Sequence, residues 1–160
     1  IGMGTDTSPP DMIMNMQVGL ILARVTAGSV TAVRAEDYFD AATVHGADAI
    51  GRPDLGRLQP GSKADIIVID LDRPHTGQLI DPIQTLLLAG HGRDVATVVI
   101  DGRIVMRDRV IPGVDEAADN RRAQRQFEGL MALYPERTHG HPPISEIFSS
   151  SYPVTRAAGT

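Results

Sequence analysis

Residues 64–70 read ADIIVID, a run of branched aliphatic side chains bounded by aspartates. Such a run is typical of a buried strand. A second run of this kind covers residues 95–100, and the dipeptide that follows it, Asp101-Gly102, is a common hairpin turn. Residues 103–107 are therefore predicted to return as the partner strand. Together these segments predict a small β unit over residues 55–111.

Helices are predicted on the N-terminal side of this unit. Asp11 is a favourable N-cap, because its carboxylate can accept hydrogen bonds from the free amides of a first helical turn, and the apolar spacing after it predicts a helix over residues 11–26. A second helical stretch covers residues 36–50. Residues 1–5 form a short apolar and glycine run, which predicts a strand that ends at Asp6.

The C-terminal part of the chain has a different character. Residues 115–133 are charged, with apolar residues only at intervals, which predicts a helix lying on a surface. From Tyr134 onward the sequence is rich in Pro and Ser, which predicts an extended tail. We accordingly divide the chain into segments 1–54, 55–111 and 112–160.

Charge and composition exclude several classes of function. Fifteen Lys and Arg residues against 20 Asp and Glu give a net charge of -5, and the basic residues are scattered, which argues against nucleic acid and membranes as partners. No apolar stretch approaches the ~20 residues that a membrane span requires. The absence of Cys fits a reducing compartment, so we expect a cytoplasmic protein in which any metal is held by His, Asp or Glu. The chain begins Ile1-Gly2-Met3 without an initiator methionine, and we expect a fragment of a longer protein.

Asp6 is the first residue in the chain with a pattern that indicates chemistry. A single aspartate at the end of a strand, followed by a proline-rich loop, is typical of an active-site turn in a (β/α) barrel, where catalytic groups project from strand ends. The same pattern also occurs when an aspartate only closes a turn or caps a helix. Spacing alone leaves both interpretations open.

Four motifs carry a resemblance to a known family. They are Gly4-Thr5-Asp6-Thr7 ahead of the first helix, Ala42-Thr43 with Gly46-Ala47 and Ile50-Gly51, the stretch GRLQPGSKAD at residues 56–65, and Val98-Val99-Ile100-Asp101-Gly102. In this order and spacing they resemble the C-terminal third of an amidohydrolase-superfamily enzyme. The branch they are most similar to contains cytosine-deaminase-like and triazine-hydrolase-like enzymes.

The resemblance implies an α/β fold made of two parts. Residues 1–54 would be the end of a metal-bearing (β/α)8 barrel, with its last strand and helices. Residues 55–111 would be the C-terminal part of a small β-sandwich. Residues 112–160 would be the final helix and extended tail that similar enzymes carry.

The same resemblance implies the site residues. Asp6 matches the eighth-strand aspartate, which in this family contacts the metal or its water and shuttles the proton, so the resemblance implies that Asp6 is both a catalytic and a metal-binding residue. Ser8 is predicted to bind the substrate. The cofactor would be a divalent metal, zinc or iron, whose remaining ligands lie upstream of Ile1. His139 and His141 resemble paired ligands, but they lie in the proline-rich tail and are predicted not to bind metal.

Three other histidines are assigned structural roles. They are His45, His75 and His91.

The function implied is part of a metal-dependent hydrolase. It would hydrolyse C–N bonds, as a deaminase, or C–Cl bonds of a small nitrogen heterocycle through a metal-activated water, and we also expect a homo-oligomer. The 160 residues alone are expected to be inactive, because a metal site normally needs three or more ligands. The alternative is a non-catalytic packing and oligomerisation module. A hydantoinase-like enzyme with a carboxylated lysine is a third interpretation.

Overall fold

The computed structural model describes residues 1–6 and 8–153. The chain separates into two compact units, residues 1–112 and residues 113–160. The first unit contains helices α1 (Met12–Ala27), α2 (Ala35–Ala42), α3 (Val44–Ala49) and α4 (Pro82–Ala89) and strands β1 (Ile66–Ile69), β2 (Val95–Ile100) and β3 (Arg103–Met106). The second contains helices α5 (Glu116–Arg137) and α6 (Ile144–Ile147).

Both ends of helix α1 are set by local capping residues. The Asp11 carboxylate accepts hydrogen bonds from the backbone amides of Ile13, at 2.9 Å, and Met14, at 3.1 Å. Gly28 ends the helix in the left-handed conformation, with φ 63°, which glycine adopts without steric cost. The predicted helix and its aspartate cap are therefore confirmed.

The second predicted helical stretch is present as two helices, α2 and α3. They meet at Thr43, whose φ of -123° and ψ of -94° are not helical. The Thr43 hydroxyl donates to the Phe39 carbonyl at 2.8 Å and so satisfies one of the free carbonyls at the end of α2.

The three strands form one antiparallel sheet in the order β1-β2-β3. The predicted hairpin is confirmed, and both turn residues have positive φ, 47° at Asp101 and 78° at Gly102, as a tight two-residue turn requires. The prediction that the first strand is buried is wrong for its centre. Ile67 and Val68 are 53% and 52% exposed, because only Ile69, at the end of the strand, reaches the helical core.

Helix α4 was not predicted, and it completes the core of the first unit. Asp81 caps it by accepting from the Gln84 amide at 2.9 Å, and Pro82 occupies the first helical position. Leu87 on this helix and Leu20 on α1 are fully buried. The other members of the same buried cluster are Ile13, Met16, Ala35 and Leu86.

The expected strand at residues 1–5 is absent from the described structure. The Met3 amide instead donates to the Ala41 carbonyl at 3.0 Å, and the Asn15 side-chain amide donates to the Gly4 carbonyl. A strand requires a neighbouring strand to complete its hydrogen bonds, and this segment bonds to helical residues instead. The prediction of a strand here is wrong for this chain.

The second unit consists of helix and short connecting segments. Asp115 caps α5 by accepting from the Ala118 amide at 2.9 Å, which confirms the predicted start of this helix, and none of its residues is buried. The expected extended tail from Tyr134 is wrong for residues 134–137, where α5 continues through Pro135 to Arg137, and for residues 144–147, which form α6. The last part of the predicted tail, residues 154–160, lies outside the described residues. A proline in the last helical turn removes a single backbone donor, so the helix persists for two further residues.

No helix in residues 1–6 and 8–153 combines the length and apolar character needed to cross a membrane.

Candidate active site

Asp6 occupies an unusual backbone conformation at the start of the loop that leads to α1. Its φ is 61°, in the left-handed region, which side-chain-bearing residues adopt rarely and aspartate more often than most. Residues held in this region are concentrated at turns and at functional sites. The conformation makes Asp6 a candidate for function, although hairpin residues Asp101 and Asp108 have the same conformation.

The Asp6 carboxylate is exposed to solvent. Within residues 1–6 and 8–153, no hydrogen bond or ion pair to it is present. Both oxygens can therefore ligate a metal ion or accept a proton from water. A carboxylate oxygen is a suitable ligand for zinc, so Asp6 fits as one member of a metal site.

Residues on either side of Asp6 are fixed to α1. On the N-terminal side, Asn15 holds the carbonyl of Gly4. On the C-terminal side, Asp11 caps the helix. Ser8 lies exposed in the same loop, and Thr7, between it and Asp6, lies outside the described residues. The substrate-binding role of Ser8 stays a prediction.

Asp11 makes a further contact that its local sequence does not indicate. While Oδ1 caps α1, Oδ2 accepts a hydrogen bond from the backbone amide of Gly92 at 3.0 Å. Six residues after Asp11, on α1, the Gln17 side-chain amide donates to the Gly90 carbonyl at 2.7 Å. Helix α1 therefore holds the segment before β2 at two points.

Two of the histidines assigned structural roles lie beside a buried carboxylate. Asp94 Oδ2 is 3.0 Å from His75 Nε2, and it accepts the backbone amide of His91 at 2.8 Å. The rings of His75 and His91 lie with centroids 5.1 Å apart. Burial raises the pKa of Asp94, but the hydrogen bonds from His75 and the His91 amide outweigh it, and the pKa lies below its usual value.

The remaining histidines are at separate places. His45 is exposed on α3, and His139 and His141 are exposed in the segment between α5 and α6. The described part of the chain contains no group of three or more His, Asp or Glu side chains placed to hold a metal ion. A metal at Asp6 would need further ligands from outside it.

Comparison with known proteins decides the family. The sequence profile of the Amidohydrolase family matches residues 1–105. The chain belongs to the amidohydrolase family. The resemblance carried by the four sequence motifs is thereby confirmed.

Relatives within this amidohydrolase family include deaminases. A 5-methylthioadenosine/S-adenosylhomocysteine deaminase of Haloarcula marismortui is 36% identical over 135 residues, 82% of this chain and 31% of the relative. An adenosine deaminase of Xanthomonas campestris, solved with bound zinc, has a TM-score of 0.71 at 29% identity, covering 76% of this chain and 28% of its own. The chain thus spans about a third of the length of the curated relatives it matches.

The same fold is found in a chlorohydrolase. The atrazine chlorohydrolase of Arthrobacter aurescens, solved in complex with zinc, has a TM-score of 0.64 at 23% identity, covering 71% of this chain and 25% of its own. At that identity the likeness shows the fold alone.

Proposed function

We propose that the full-length enzyme containing this amidohydrolase chain is a hydrolytic deaminase of amino-substituted nitrogen heterocycles, with adenine nucleosides as the substrate class. The observation that carries the proposal is 36% identity to a 5-methylthioadenosine/S-adenosylhomocysteine deaminase over 82% of this chain. Hydrolysis of C–Cl bonds is the less favoured reaction, because the chlorohydrolase is similar to this chain in fold alone.

The architecture proposed for the full-length enzyme assigns each part of the chain a place. Residues 1–54 contribute the end of the (β/α)8 barrel, residues 55–111 contribute to the β-sandwich, and residues 112–160 form the C-terminal extension. The enzyme is proposed to be a cytoplasmic homo-oligomer, with no membrane or nucleic-acid partner.

Asp6 is proposed to transfer the proton in the reaction. Its exposed carboxylate accepts a proton from the attacking water and then gives it to the amino nitrogen that leaves as ammonia. Hydrogen bonds at Gly4 and Asp11 attach the segments on either side of this residue to α1. Ser8, two residues away in the same loop, is proposed to hydrogen-bond a polar atom of the substrate.

Zinc is the proposed cofactor, because the adenosine deaminase and chlorohydrolase structures contain it. When bound, the metal would lower the pKa of its water toward ~7. Asp6 would provide one carboxylate oxygen to the metal site, and the other ligands would come from outside this chain.

The substitution Asp6→Asn tests this proposal in the full-length protein. The variant keeps the size of the side chain and an oxygen ligand but removes its basicity, so kcat for 5-methylthioadenosine should fall by roughly 10²–10⁴-fold with folding retained. A suitable control is Asp108→Asn, which makes the same change at another exposed aspartate with positive φ, 50°, and should leave kcat unchanged.

The two interpretations of Asp6 predict different results. A turn or cap aspartate would lower stability by about 0.5–2 kcal/mol and leave turnover per folded molecule intact. Near wild-type kcat for Asp6→Asn, measured on zinc-replete protein beside its thermal midpoint, would overturn the catalytic role. It would favour the non-catalytic packing module instead.

A further inference from the structure

We propose that Asp11 is a positioning residue for Asp6, and that it acts by joining the loop after Asp6 to the turn at Gly92. The inference rests on the proposed function, because it concerns the orientation of the proposed proton-transfer group. It differs from a helix-capping role, which needs only one of the two carboxylate oxygens.

The first argument is that Asp11 uses both oxygens. Oδ1 accepts from the amides of Ile13 and Met14, and Oδ2 accepts from the amide of Gly92, 81 positions away in the sequence. The single carboxylate therefore ends the loop, begins the helix and connects both to the segment before β2.

The other aspartate caps lack this additional contact. Asp81 accepts from the Gln84 amide and Asp115 from the Ala118 amide, each through Oδ1. Within the residues that the structure describes, neither carboxylate accepts a bond from another part of the chain. The chain thus contains two natural controls for Asp11.

The second argument is the fit at Gly92. A Cβ atom at this position would lie 2.8 Å from Asp11 Oδ2 and 3.0 Å from its Cγ. Such distances are too short for unbonded atoms. The close approach of Asp11 to Gly92 is therefore possible because position 92 has no side chain. Any larger residue would displace the carboxylate.

The partner turn is itself fixed to the sheet. The Asp94 carboxylate accepts a hydrogen bond from the His91 backbone amide at 2.8 Å, and the Asp94 backbone amide donates to the His91 carbonyl at 2.9 Å. The Asp94 carbonyl accepts from the Asp70 amide at 2.8 Å, at the end of β1. Asp11 is therefore bound to a turn that has little freedom to move.

The loop between Asp6 and Asp11 can transmit this constraint. It contains four residues, and two of them, Pro9 and Pro10, have φ restricted by their rings. The structure describes residues 8–10 of this loop. The proposal is that a displacement of Asp11 is passed to Asp6 through this short connection, and a displacement of about 1 Å at a catalytic group can lower turnover by up to ~10²-fold.

The decisive variant is Asp11→Asn in the zinc-loaded full-length protein. Asparagine is nearly the same size and an equally good N-cap, but it has one acceptor oxygen and can satisfy the helix or Gly92, not both. For 5-methylthioadenosine, kcat should fall by about 10–100-fold while KM and zinc content stay near wild type. The controls Asp81→Asn and Asp115→Asn lose the same charge, keep the one acceptor that their helices use, and should retain wild-type kcat.

A second variant, Gly92→Ala, disturbs the same contact without changing Asp11. It should lower kcat to a similar extent, and the double variant should be no worse than the more affected single one, because both changes break one bond. Wild-type kcat in folded Gly92→Ala or Asp11→Asn protein would overturn the inference. So would a loss that appears equally in the Asp81→Asn control.

The outcome is distinguishable from a failure of the proposed function. If Asp6→Asn lowers kcat and Asp11→Asn does not, only the positioning role is wrong. If Asp6→Asn leaves kcat unchanged, the proposed function fails first and the positioning role fails with it.

Discussion

Asp94 is only 4% exposed, and a carboxylate buried to this degree loses much of its hydration. Hydrogen bonds from His75 and from the His91 amide replace the lost hydration. Burial alone would raise the pKa of Asp94, but these bonds hold it below its usual value. A carboxyl whose pKa is lower in the folded than in the unfolded chain stabilises the fold above about pH 4. That contribution is lost as the pH falls through the folded-state value.

The substitution His75→Ala tests the role of this pair in stability. Without the imidazole, the buried carboxylate keeps only the His91 amide, so the free energy of unfolding of the full-length protein near pH 7 should fall by about 1–3 kcal/mol. The pKa of Asp94 should rise, and acid destabilisation should begin at a higher pH. Urea unfolding between pH 3 and pH 7 measures both effects.

The matched control is His91→Ala, which removes a neighbouring imidazole but retains the backbone amide that donates to Asp94. It should lose less stability than His75→Ala. Equal losses, or no shift in the acid limb for His75→Ala, would contradict the assignment.

Single residues differ in how far their roles can be predicted from sequence. The Asp11 cap is a local pattern, and the prediction for Asp6 depends on the motifs around it. The contact between Asp11 and Gly92 spans 81 positions, and the pair of His75 with Asp94 spans 19. No local signal marks such partners, although His91-Gly92-Arg93-Asp94 has the spacing of a cap whose last residue bonds back to the first.

At the scale of elements, prediction succeeded where the signal is local and continuous. Helix α1 has a cap and helical apolar spacing, and β2 with β3 has a hairpin dipeptide between two apolar runs. Helix α4 was missed because eight residues, most of them apolar, show no clear period, although Asp81-Pro82 is a recognisable start. The strand at residues 1–5 was wrongly predicted because strand formation depends on a partner.

The loop between α3 and β1 returns to the helices at one very close contact. Gly56 has φ 71°, and a Cβ atom there would lie 2.5 Å from the Thr43 carbonyl oxygen and 2.7 Å from its carbon. The contact is at the break between α2 and α3, so it involves backbone that cannot move without disturbing both helices. Glycine is required there both for its conformation and for its size.

The variant Gly56→Ala should destabilise the full-length protein by about 2–5 kcal/mol, since a side chain at positive φ costs about 1–2 kcal/mol and overpacking about 1–3 kcal/mol. The control Gly61→Ala has a similar positive φ, 90°, but no atom within 4 Å of the added Cβ, so it should cost about 1–2 kcal/mol. Chemical denaturation of both variants measures the difference. A loss no larger than that of the control would show that the close approach to Thr43 is not a constraint.

At the scale of the whole molecule, the first unit, taken by itself, exposes apolar surface on α1. Val18, Ile21, Leu22 and Val25 are all exposed and are spaced so that they share one face of α1. The opposite face carries the buried core residues. Apolar helix faces of this kind are normally covered by another element or another chain.

The isolated 160-residue chain should therefore self-associate at micromolar concentration, through the α1 face or the exposed centre of β1. Replacing Leu22 by Glu places a charge in the middle of the α1 face and should shift the sedimentation profile toward monomer. Asn120→Glu makes the same change in net charge on α5 and should leave association as it is. A folded monomer of the unmodified chain at these concentrations would show that the exposed face does not drive association. A reduction by both variants would instead indicate that net charge, rather than the α1 face, controls association.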